Sequence, residues 1–184
     1  LIDAVHQAML AGHNQYPPMP GVPALRQAIA AKIQCLYGQA FDADASITVT
    51  AGATQALLTC LLAVVQPGDE VIVLEPCYAS SLPGITMAGG IPVRVPLTPG
   101  SFRPDFDRIA AALTPRTRAI LINTPHNPSG TVWSEEDMLR LQRAERSKNA
   151  DASGGPGSAK LDEEANAMAR DAAKAESDSR LKDL

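Results

Sequence analysis

A chain of 184 residues that is 45% hydrophobic has room for one domain with a real core, but at 4% aromatic that core must be mostly Ala, Leu, Ile and Val. A net charge of −4 and a pI near 5.3, with no basic stripe interleaved with aromatics, exclude a nucleic-acid partner of the usual kind. Cys35, Cys60 and Cys77 are odd in number and lack any C-x-x-C spacing, so disulfides and structural zinc are not expected and a reducing cytoplasm is the default compartment. No run approaches the ~20 apolar residues of a membrane span. Leu1 begins without a signal peptide's basic start, and without Met, inside a helical pattern, as an incomplete N-terminus does.

In chain order, Ile2, Val5, Met9 and Leu10 recur at helical spacing, with Gly12 as a stop. His6 on that helix is expected to be solvated. Residues 14–22, NQYPPMPGV, hold three prolines and must be irregular or extended, with Tyr16 among them. Pro23 opens a second helix with Leu25, Ile29, Ile33 and Leu36 on one face, Arg26 off it, and Gly38 at its end. Residues 47–69, ITVTAGATQALLTCLLAVVQPGD, read as strand, tight turn, helix and turn. The first turn of that helix exposes unpaired backbone N–H groups and partial positive charge, so an anion such as phosphate is favoured on the backbone of Ala53 and Thr54. The plain alternative is that Thr50 or Thr54 caps an ordinary buried helix.

Beyond Pro67-Gly68, Glu70 to Leu74 is a continuous apolar run suited to a strand buried on both faces. Tyr78 to Ala88 reads as a helix flawed by Pro83, Ile91 to Val95 as a strand, and Phe106 to Leu113 as a helix with Phe106, Ile109, Ala110 and Leu113 inward. Thr117 to Ile122 is a further buried strand. Alternating strands and helices give an α/β fold with a parallel sheet, whose ligands lie beyond the carboxyl ends of the strands. The residues expected there are Gly52 to Thr54, Glu75 to Tyr78 and Asn123 to Gly130. In NTPHNPSG the prolines and glycine force a turn, with Asn123, His126, Asn127 and Ser129 at its rim. Asn127, held extended by Pro128, can aim its amide at a ligand oxygen; a well-capped surface loop is the alternative.

Taken together, the NQY and PxLR pieces (Asn14 to Arg26), GAT, PGDEVIVLEPCY, AGGIPVRVPL and NTPHNPSGTVW resemble, in order and spacing from about His13 to Leu141, the class I/II aminotransferases of fold type I, which use pyridoxal 5′-phosphate. MAGGIPVRVPL, FRP and PHNPSGTVW most resemble the methionine, glutamine and kynurenine aminotransferase branch. The resemblance implies part of a three-layer, mainly parallel large domain over residues 1–142, with a polar tail over 143–184. It also implies that Ala53 and Thr54 hold the cofactor phosphate, Tyr78 stacks on the ring, and Asn127 bonds its phenolic oxygen. Tyr16 reaches the phosphate of a neighbouring subunit in a homodimer, while Arg26 is structural. The small molecules handled are an amino acid and a 2-oxo acid.

After Leu141 the resemblance stops. The expected aspartate strand, the lysine that forms the Schiff base and the carboxylate-binding arginine are absent, and Gly157-Ser158-Ala159-Lys160 lacks their context. No catalytic residue is therefore assigned, and transamination by this chain alone is not expected. Asp151 to Gly157 reads as a linker and Lys160 to Asp178 as at most a solvated helix outside the sheet. A truncated, rearranged or frame-shifted gene and a deliberate fragment all fit this break. A non-catalytic cofactor- or amino-acid-binding regulatory module, or a related lyase acting on sulfur amino acids, remains open beside the aminotransferase.

Overall fold

Among the described residues nine elements follow in order: α1 (Ile2–Leu10), α2 (Pro23–Tyr37), α3 (Gly52–Val64), β1 (Glu70–Glu75), α4 (Ser81–Met87), β2 (Ile91–Pro96), α5 (Phe106–Ala112), β3 (Thr117–Leu121) and α6 (Glu135–Ser153). The computed structural model describes residues 1–153, with side chains to residue 147. The chain divides into a unit of residues 1–60 and a second unit from Leu61 onward. No helix among the described residues is long and apolar enough to cross a membrane.

The second unit is built on a parallel three-stranded sheet in the order β2-β1-β3. Val71, Ile72, Val73 and Leu74 of central β1 are all buried, as the unbroken apolar run requires of a strand covered on both faces. Pairing sets Ile72 beside Val93 and Ile120, and Leu74 beside Val95, so one face carries a continuous apolar row. That row joins Leu97, Phe106, Ile109, Leu113, Trp133 and Leu141 in a core beneath α5 and α6. Phe106 meets Trp133 edge to face at 6.2 Å, and the Arg140 guanidinium lies 4.3 Å from the Phe106 ring centre. Against β1 and β2 lies α4 as well. Leu61 near the end of α3 closes on Gly84, and Val65 just past it, with Ile85, crowds Gly90 so closely that a side chain there has no space.

Several expectations need correction. Residues 47–50 form no strand: a strand needs a ladder, and the backbone bond made by this stretch to another segment runs from Val49 N–H to the Pro20 carbonyl at 2.9 Å. Pro83 does not flaw a long helix, because α4 begins at Ser81 and places Pro83 in its first turn, where a missing N–H costs nothing. The outer strand β3 is half-buried rather than buried on both faces. On α2 the expected inward stripe is only half-buried at Ile29 and Ile33 and exposed at Leu25 and Leu36. Its buried residue is Arg26, which donates to the carbonyls of Gly21 (3.2 Å) and Ala43 (2.7 Å) and pairs with Asp44 at 2.9 Å, a structural role as expected. Asp151 to Ser153, expected as linker, are helical at the end of α6. Lys160, Gly157 and the rest of the tail lie outside the described residues.

At the amino end of β1, buried Glu70 accepts from the Thr114 hydroxyl at 2.5 Å, from Arg116 Nε at 2.9 Å, and from Arg116 Nη2. The Thr114 hydrogen bond first, and then Arg116, hold its carboxyl below the ordinary 4.5. A carboxylate whose folded pKa is lowered adds stability that is present above its ordinary value and is lost as pH falls through the folded value. Glu70→Gln should therefore lower the urea midpoint at neutral pH and flatten the loss of stability on acidification below about 4.5. Gly90→Ala should be destabilising by about 1–3 kcal/mol, read as a lower urea midpoint with unchanged slope, because the new carbon meets Val65 Cγ1 at 2.7 Å.

Candidate functional site

Because β1 and β3 are adjacent and parallel, the segments that follow Glu75 and Leu121 leave the sheet at the same end. Tyr78 stands three residues past β1 and is half-buried, and its carbonyl accepts the Ser81 N–H at 2.9 Å where α4 begins. Next to it, Cys77 is half-buried too. Burial pushes its thiol up, the Glu75 charge adds to this, and Arg94 opposes it.

Past β3, the turn at 123–131 is held from inside. Asn127 is exposed, with its backbone N–H donated to Asn123 Oδ1 at 2.9 Å and no hydrogen bond from its side-chain amide among the described residues. His126 corrects the expectation of a rim residue, for it is buried, with only 6% of its surface exposed. Its Nδ1 lies 2.6 Å from Ser129 Oγ, and Ser129 in turn donates to Thr131 Oγ1 at 3.1 Å. The backbone closes the same ring: His126 N–H donates to the Thr131 carbonyl at 2.8 Å and Gly130 N–H to the His126 carbonyl at 2.7 Å. Gly130 has φ +74°, a conformation that suits glycine, as the NPSG pattern implies.

Sequence reasoning missed the buttress behind this turn. Ser134 and Asp137 cap α6 reciprocally: Asp137 N–H donates to Ser134 Oγ at 3.2 Å and Ser134 N–H to Asp137 Oδ2 at 2.8 Å. Arg103, from the segment between β2 and α5, donates to the same Asp137 oxygen at 2.5 Å and to the Val132 carbonyl at 3.1 Å. Burial pushes the Asp137 carboxyl up, but the Ser134 hydrogen bonds and the Arg103 guanidinium outweigh it and hold the group below its ordinary value. The signal was present as Ser134-Glu135-Glu136-Asp137, a serine with an acid three residues on.

In the first unit, Gly52 (φ +77°) opens α3, and Ala53 and Thr54 form its exposed first turn. Gln55 Oε1 reaches back to accept the Ala51 N–H at 2.5 Å, and the Thr50 hydroxyl donates to the Gly52 carbonyl, so Thr50 does not act as the capping acceptor. Space around Gly52 is open. Tyr16 is fully exposed. Of the residues expected to serve one site, Tyr78 and Asn127 are thus brought to one end of the sheet, while Ala53, Thr54 and Tyr16 belong to the other unit.

A parallel sheet whose strands are joined by helical crossovers places the second unit in the α/β class. Residues 2–150 match the model of the family "Aminotransferase class I and II", and the chain belongs to that family. It is 53% identical over 133 residues to the methionine aminotransferase of Escherichia coli, a match covering 72% of this chain and 34% of that protein. To a probable N-succinyldiaminopimelate aminotransferase of Mycobacterium tuberculosis it is 44% identical over 143 residues, covering 77% and 36%. The solved structure of the E. coli methionine aminotransferase superposes with a TM-score of 0.75 at 50% identity, over 77% of this chain and 38% of that one. The M. tuberculosis structure gives a TM-score of 0.76 at 42% identity, over 80% and 39%. The chain thus spans about a third of the length of the curated relatives it matches. Enzymes of this family depend on pyridoxal phosphate.

The thiols give a direct check on the geometry beside Tyr78. With Cys35 and Cys60 exposed and Cys77 half-buried with a raised pKa, iodoacetamide at neutral pH should label the first two ahead of Cys77, as followed by peptide mass mapping.

Proposed function

We propose that this chain is the amino-terminal part of the cofactor-binding domain of a pyridoxal-phosphate-dependent aminotransferase, which in its complete form moves an amino group between an amino acid and a 2-oxo acid. The observation that carries the reading is that Tyr78 and Asn127 each follow the carboxyl end of one of two neighbouring parallel strands, in a chain of this family. The residues present fit the cofactor's phosphate, ring and phenolic oxygen. The first turn of α3 has backbone N–H groups that no helix can satisfy internally, and the open space at Gly52 lets an anion approach Ala53 and Thr54.

Within this reading each residue has one task. Ala53 and Thr54 bind the phosphate through the helix terminus, and Tyr78 lays its ring on the pyridine face. Asn127 donates its side-chain amide to the phenolic oxygen, which fixes the ring's orientation and tunes its charge. Tyr16 reaches the phosphate held by a second subunit, so the complete enzyme is a homodimer with shared sites. When bound, the cofactor supplies an electron sink for the amino-acid substrate. The part of the chain before residue 143 belongs to this domain, and α6 runs on past that boundary to Ser153. The protein works in the cytoplasm on small molecules.

A covalent attachment point is not among these residues. Lys32 precedes every other lysine of the chain by more than a hundred positions and stands exposed on α2, away from the loops of the sheet in sequence and in unit. This chain therefore holds the cofactor reversibly and carries out no transamination alone. Two measurements on the full 184-residue chain test this. Titration with pyridoxal phosphate should shift the amide signals of Ala53, Thr54 and Asn127, and borohydride reduction followed by intact-mass measurement should show no stoichiometric addition. Unmoved amides would leave α3 an ordinary capped helix. Stoichiometric addition at one lysine, Lys160 included, would overturn the assignment of a site without a covalent anchor.

A further inference from the structure

Resting on the cofactor reading above, we propose that His126 is a positioning residue: from the buried side of the turn its Nδ1–H donates to Ser129, and this bond holds Asn127 where its amide meets the cofactor's phenolic oxygen.

One hydrogen-bond pattern around the ring satisfies every group with the imidazole as donor. In it Ser129 Oγ gives its one proton to Thr131 Oγ1 at 3.1 Å. The oxygen can then only accept from its other neighbours, which are Thr131 N–H at 3.3 Å and His126 Nδ1 at 2.6 Å. The Thr131 hydroxyl passes its own proton to the Ser101 carbonyl at 3.5 Å, so each hydroxyl donates onward and none is free to donate back to the imidazole. In this pattern Nδ1 carries the proton, and Nε2 has no hydrogen-bond partner among the described residues.

The consequence falls on Asn127 because of where the bonds lie. His126 immediately precedes it, and Ser129 follows two residues later. The side-chain bond between them spans Asn127 and Pro128 beneath the turn. On the outer side, Asn127 N–H is tied to Asn123 Oδ1. Backbone bonds between residues 126 and 131 and between 130 and 126 complete the frame. Held on both sides through its backbone, Asn127 keeps its side-chain amide unengaged within the described protein and exposed. A ligand oxygen then meets a donor that needs little further ordering, which is how a preorganised group gains affinity.

The test uses the full chain and four variants: Ser129→Ala, His126→Phe, His126→Asn and Asn127→Ala. Asparagine places its amide nitrogen near the position of the imidazole Nδ1, so His126→Asn keeps a donor to Ser129, whereas phenylalanine keeps only the bulk. In the absence of ligand, hydrogen exchange of the Asn127 and Gly130 amides should quicken roughly tenfold in Ser129→Ala and His126→Phe and remain near the parent in His126→Asn. Nitrogen chemical shifts of His126 should identify the Nδ1–H tautomer. The non-covalent probe is 4-deoxypyridoxine 5′-phosphate, which retains the phenolic oxygen and the phosphate. Its affinity should fall roughly tenfold in Asn127→Ala and by a similar factor in Ser129→Ala, and Ser129→Ala should add nothing further in the Asn127→Ala background. Parent-like exchange in both Ser129→Ala and His126→Phe, an Nε2–H tautomer, or additive losses in the double variant would each overturn the positioning role. A probe that leaves the Asn127 signals of the parent unmoved, with the exchange pattern as expected, would instead overturn the cofactor reading, and the proposed role with it.

Discussion

Burial of β1 on both faces is the constraint on which the second unit depends. Val71, Ile72, Val73 and Leu74 each leave water almost completely, at about 1.5–3 kcal/mol per side chain as an upper estimate. Such a strand must also pair its backbone on both edges, which β2 and β3 do, and must be covered above and below. Parallel neighbours in turn require crossover connections, and α4 and α5 supply them. The location of Tyr78 and of the 123–131 turn at one end of the sheet is thus a consequence of β1's apolar run, through parallel pairing and crossover length.

Most of this was legible because it rests on periodicity and punctuation. The EVIVL run and the spacing of Phe106, Ile109 and Leu113 each report a local preference that the tertiary structure shares. The expectation for residues 47–50 failed for the opposite reason: β-branched residues favour extended backbone, but a strand exists only where a partner pairs with it, and pairing is not a local property. Arg26 stood off the apolar face of α2, yet it is buried because the carbonyls of Gly21, just before the helix, and of Ala43, in the loop after it, satisfy its donors. His126 was read as a rim group since nothing in the tetrad HNPS says which way the imidazole turns. The family pattern named Asn127 without showing what holds it.

Residues around the 123–131 turn illustrate how polar groups can specify a loop that has almost no apolar area to bury. Asn123, His126, Ser129 and Thr131 bond one another and the backbone, and Thr124 Oγ1 accepts the Trp133 N–H at 3.0 Å, anchoring the far end of the turn to a core aromatic residue. Arg103 and the Ser134–Asp137 cap fix the start of α6 directly behind it. In this network each member restrains its neighbours, so the position of the exposed Asn127 depends on buried His126 and on half-buried Ser129 and Thr131.

The Glu70, Thr114 and Arg116 cluster stands at the amino end of β1, whereas Tyr78 and Asn127 stand past the carboxyl ends of β1 and β3. Along one six-residue strand, then, the groups that secure the fold and the groups offered to a ligand are separated by the length of the strand itself, about 20 Å. Substitutions can accumulate among the loops at the carboxyl end, altering what is recognised, while the ion pair at the opposite end goes on fastening the same framework. A scaffold polarised in this way can diversify in specificity without re-solving its folding problem.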